Sequence, residues 1–136
     1  KDLDNGSIVT RGEWIESQVF KTDNYAAGKK PYLVLTPPFG YNSDRRSYQD
    51  ECYFYNATGE VARCYELYVD DIFTVSSDAI TALATEPVVG NYVSVDGGLY
   101  KEAASADDTG FVAQIVEKVN YTNGTSYRLH VVSLGL

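Results

Sequence analysis

A chain of 136 residues is too short for two ordinary domains and long enough to bury one sizeable core without disulfides or metals to staple it. Its 11 Lys+Arg against 19 Asp+Glu leave a formal net charge of −8, which argues against nucleic-acid binding, because phosphate contacts need clustered positive charge. Aromatic residues make up 13% of the chain, twelve of them Tyr, and Met is absent; Tyr suits surfaces that bind other surfaces because it joins a rigid apolar body to a polar tip.

The missing Met reads Lys1 as a processed or truncated start. No basic segment leads into an apolar run of signal-peptide length, and stretches such as Tyr32 to Leu35 fall far short of a bilayer span. A soluble protein with no membrane partner is expected. The two cysteines, Cys52 and Cys64, fit neither a disulfide framework nor a four-ligand zinc site, and in a protein made in a cytoplasm they are expected as free thiols.

In chain order the pattern is one of strands. Gly6 to Thr10 reads as a short strand stopped by Gly12, and Trp14 to Phe20 continues with β-branched and aromatic residues. Lys21 to Lys30 is polar and punctuated by Asp23-Asn24 and Gly28, a turn region. Tyr32 to Thr36 is nearly continuously apolar, as a strand buried on both faces would be, and Pro37-Pro38 ends it because neither residue donates to a ladder. Phe39 to Asp50 mixes Gly, Asn, Ser and Asp with three aromatics and Arg45-Arg46, the makeup of a loop long enough to expect a function. Cys52 to Tyr55 is a further strand candidate, closed by a turn at Asn56 to Gly59.

From Val61 to Val69 apolar residues alternate, which predicts a half-buried strand. Ile72 to Val75 is another. Ser76-Ser77-Asp78 then offers capping residues ahead of Ala79, Ile80, Ala82 and Leu83 at helical spacing, the one short helix expected. Tyr92 to Val95 and Leu99 to Lys101 flank Asp96-Gly97-Gly98 as a hairpin, and Phe111 to Val119 and Tyr127 to Leu134 form a second one around Asn123-Gly124. The sum is a mainly β fold: a small barrel or sandwich of eight or nine short strands, with one short helix and an extended N-terminal arm over residues 1–12.

Few residues point to chemistry. His130, the sole histidine, lies in an alternating strand with no motif around it, so a solvent-facing or neighbour-bonded role is expected, and no catalytic residue is assigned. Asp70-Asp71 and Asp107-Asp108 lack the fixed alternate ligand spacing of a calcium loop and read as turns; no metal or other cofactor is expected. Three Asn-x-Ser/Thr sequons, at Asn56, Asn120 and Asn123, fall in turn-rich segments and read as chance without a secretory signal. Arg45-Arg46 beside Phe39, Tyr41 and Tyr48 has the composition of an interface anchor, set against an ordinary solvated loop. Trp14 weighs two ways: a lone Trp in a β domain is more often core than contact.

Several segments together resemble a family of small structural proteins of tailed phages infecting Gram-positive bacteria, the capsid decoration or auxiliary head proteins. They are Leu3-Asp4-Asn5-Gly6-Ser7-Ile8-Val9, Ala62-Arg63-Cys64-Tyr65-Glu66-Leu67, Asp70-Asp71-Ile72-Phe73-Thr74-Val75 with Ala79-Ile80, and Val89-Gly90-Asn91-Tyr92-Val93. The resemblance implies one β-rich domain over residues 1–136, no enzymatic activity, the major capsid protein as partner, and a place on the virion exterior after synthesis in the host cytoplasm, often as a homo-oligomer. An N-terminal arm would add a strand to a neighbouring sheet edge. On this reading the expected contact residues are Leu3, Ile8, Trp14, Phe39, Tyr41, Arg45 and Arg46. The alternative is a carbohydrate-binding or host-adhesion module stacking sugars on exposed aromatics.

Overall fold

The computed structural model describes residues 2–36, 56–106, 110–121 and 124–136. The fold is mainly β, two sheets packed in a sandwich-like arrangement without barrel closure. Four strands, β1 (Ile8–Glu16), β2 (Val19–Asn24), β3 (Tyr32–Val34) and β4 (Cys64–Glu66), form one sheet in the order β2-β1-β3-β4. The second sheet contains β5 (Ile72–Ser76), β6 (Ile80–Thr81), β7 (Tyr92–Asp96), β8 (Leu99–Ala103), β9 (Val112–Tyr121) and β10 (Gly124–Ser133), ordered β5-β10-β9-β7-β8-β6. All pairings are antiparallel except that of β6 with β8.

The core lies between the sheets. Alternation in β10 turns Tyr127, Leu129 and Val131 inward to meet Val75, Val93, Tyr100, Phe111, Ala113 and Ile115, while Ile8, Leu33 and Leu67 close it from the other side. Period-two alternation of this kind is what a sheet with one buried face demands. Two polar links tie the layers: Tyr100 Oη donates to the Gly6 carbonyl at 2.7 Å, and the Ile8 amide donates to the Gly98 carbonyl at 2.9 Å. Burial pushes the Tyr100 phenol far above its ordinary pKa, so it stays a donor at any physiological pH.

The β7–β8 hairpin forms as expected, with Gly97 and Gly98 both at positive φ (64° and 94°) between Asp96 and Leu99. The expected helix after Ser76 does not form. A single 3-10 turn, Ser77–Ala79, is followed by extended Ile80 and Thr81, and Ser76 makes no side-chain cap. Burying the β-branched Ile80 against β8 outweighs a weak helical pattern. The alternation from Val61 to Val69 also overstates its strand, since only Cys64–Glu66 pairs and Val61 and Val69 are exposed. Cys64 itself is free and exposed, and partial desolvation of its sulfur pushes the thiol pKa up, away from the reactive thiolate. The candidate strand Cys52 to Tyr55, with Cys52, and the turn at Asp107-Asp108 lie outside the described residues.

The C-terminal Gly135 has φ 69°, and a Cβ built there would lie 2.5 Å from the Gly110 backbone. Gly28 has a similar φ of 83° with open space around it. Gly135→Ala is therefore expected to lower stability in urea by at least about 2 kcal/mol, combining backbone strain with a clash that only main-chain movement relieves. Gly28→Ala is expected to lose about 1 kcal/mol, the conformational part alone.

Candidate functional site: a projecting hairpin

The N-terminal segment is not a free arm. Leu3 forms a bridge with Asn56, exchanging two backbone hydrogen bonds at 2.9 and 2.7 Å, and residues 8–12 run as the first half of β1 at the interior of its sheet. Ile8, expected as a contact residue, is fully buried in the core. Its apolar neighbours in the second sheet compete for it more effectively than an external partner, and the strand an arm would lend elsewhere is used within the domain. Leu3 is half-buried. Phe39, Tyr41, Arg45 and Arg46 lie outside the described residues.

Trp14 behaves differently. Burial along β1 stops after Thr10, and from Glu13 to Glu16 every residue is exposed. The expected continuous strand from Trp14 to Phe20 is in fact folded back at Ser17-Gln18, and the expected turn region at 21–30 begins with β2. The outer half of the β1–β2 hairpin thus projects from the sandwich. Trp14 lies opposite Phe20 in the register, is 60% exposed, and is followed by Ile15 at 51%.

Local chemistry holds this aromatic surface in place. Trp14 Nε1 donates to the Ser17 carbonyl at 2.9 Å, which locks the indole against the turn. Ser17 adopts φ 46°, a left-handed conformation that a non-glycine residue takes only where its surroundings impose it. The Arg11 guanidinium stacks over the Phe20 ring, 4.4 Å from its centroid, an arrangement favoured by the ring's negative face. On the opposite face Lys21 and Glu13 form an ion pair at 3.1 Å. Gly12 permits the close crossing, since a Cβ there would lie 2.6 Å from the Asp23 carboxylate. The result is a pre-ordered apolar and cationic face, suited to burying itself against another surface.

The groups singled out for possible chemistry are engaged structurally. His130 Nε2 meets Asp70 Oδ1 at 3.0 Å, and Asp71 accepts the Tyr68 amide at 2.8 Å, so both aspartates stabilise the turn into β5. Asn56 is buried, its amide donating to the Leu3 carbonyl and to Asn5 Oδ1; in the folded domain its sequon is closed to glycosylation. One important residue escaped sequence reasoning. Glu102, buried on the inward face of β8, accepts hydrogen bonds from the Leu83 and Val88 amides and from Asn91 Nδ2, at 2.8, 2.8 and 2.9 Å. Burial alone would push its pKa up, but the three donors outweigh it and hold the carboxyl below its usual range. The only sequence signal was a charged residue at an inward position of a strand.

The fold and hairpin define a β-sandwich-like module with an ordered aromatic projection. Comparison with family models, with curated proteins and with solved structures returns no match.

Proposed function

We propose that the protein is a non-enzymatic structural protein that binds the outer surface of a phage capsid and stabilises contacts between capsomers. The observation that carries the reading is the β1–β2 hairpin: Trp14 and Ile15 stand exposed on a projection whose conformation is set before any partner arrives. Pre-ordering of this kind lowers the entropic cost of docking, and aromatic residues with a neighbouring Arg are the usual energetic centres of protein interfaces. The resemblance of the strand and turn segments to capsid decoration proteins supplies the surface concerned, the major capsid protein. The net charge of −8 suits a protein outside a DNA-filled shell, where it meets no genome.

Mixing the purified protein with undecorated expanded heads and sedimenting them tests this. Saturable co-sedimentation is expected, and its absence sinks the proposal. A second reading, a carbohydrate-binding or host-adhesion module, draws on the exposed indole face of Trp14. Binding on a glycan array that Trp14→Ala abolishes, with no binding to heads, would favour it.

A further inference from the structure

The outer edge of β2 carries a charge pattern that complements itself. Among the described residues β1 is the strand that pairs with β2, and Lys21, Thr22 and Asp23 are exposed. Unpaired strand edges are templates for another strand. We infer that two copies of this chain join edge to edge through β2, antiparallel about a two-fold axis at Thr22.

Symmetry restricts the choice of register. A two-fold axis normal to a sheet leaves each residue on its own face, and residues directly opposite in an antiparallel pair share a face. The axis must therefore pass beside a residue, not between two. Placed at Lys21 it opposes two lysines, and placed at Asp23 it opposes two aspartates. Placed at Thr22 it sets Lys21 opposite Asp23 of the second copy and Asp23 opposite Lys21 of the second copy, with a Thr–Thr pair at the centre. Opposite charges and paired threonines are favourable cross-strand neighbours, and like charges are not. Lys21 already leans toward Glu13 at 3.1 Å, so each ammonium would bridge a carboxylate of its own chain and one of the second copy. The joined sheets would present both Arg11, Trp14 and Phe20 clusters on one face.

Sedimentation velocity on the isolated protein tests this independently of any head binding. The wild type is expected to reach about twice its 15.0 kDa mass at micromolar concentrations. Lys21→Asp and Asp23→Lys, each checked for folding by circular dichroism, are expected to weaken the dimer at least about tenfold. An equimolar mixture of these two variants restores association, because every opposed pair is again of opposite charge, and the double variant Lys21→Asp/Asp23→Lys restores it alone. A wild type that stays monomeric overturns the proposal, as does a dimer indifferent to the exchange of charges.

Discussion

Glu102→Ala is expected to destabilise the protein by about 3 to 4 kcal/mol and to lower its melting temperature by about 10 °C. Glu102 is 2% exposed and receives three donors from residues 83–91. Removing the carboxylate leaves two backbone amides and the Asn91 amide without acceptors in a place where water enters poorly, each a loss of about 1 kcal/mol or more. The same carboxyl sets a pH dependence. Its folded pKa is depressed, so its contribution to stability is complete above the unfolded value of about 4.3 and is lost as pH falls through the lower folded value. Urea titrations at pH 7 and in steps below pH 5 check this. The wild type is expected to lose stability more steeply with acid than Glu102→Ala, and parallel curves would show that Glu102 is not the acid-labile tie.

If the protein decorates heads as proposed, Trp14→Ala is expected to weaken its association with undecorated heads about thirtyfold, the scale of a central aromatic anchor, while changing stability by no more than about 1 kcal/mol. The separation follows from geometry. Trp14 is 60% exposed and belongs to the projecting half of β1, so the folded state loses only its pairing with Phe20 and the bond to Ser17. A core tryptophan would behave in the opposite way, with a loss of several kcal/mol on truncation. Co-sedimentation across a concentration series, beside thermal melts, distinguishes the two. Undiminished binding by Trp14→Ala would remove the hairpin from the interface.

Much of the fold was legible because alternation and turn chemistry agreed. The β7–β8 hairpin announced itself through Asp96-Gly97-Gly98, and β9 and β10 as strands through Phe111 to Val119 and Tyr127 to Leu134. Errors arose where turns lacked their usual markers: the reversal at Ser17-Gln18 uses a serine at positive φ, which nothing in local composition reveals, and Gly12 permits a close crossing instead of ending a strand. Ile8 and Trp14 sit six residues apart in one strand, yet one is core and the other is 60% exposed. Only the point at which β1 leaves the sandwich separates them, and that is a tertiary fact. Glu102 was missed for a related reason, because its partners come from a loop whose path no periodicity predicts.

The amide of Asn5 joins three stretches that lie far apart in the sequence. Its oxygen accepts from the Thr36 amide and from Asn56 Nδ2, and its nitrogen donates to the Thr36 carbonyl; one side chain thus ties residue 5 to positions 31 and 51 residues further along. Because a single planar group serves all three bonds, an Asp at this position would keep the acceptor and lose the donor to the Thr36 carbonyl. The fit is to the chemistry of an amide and not merely to its size.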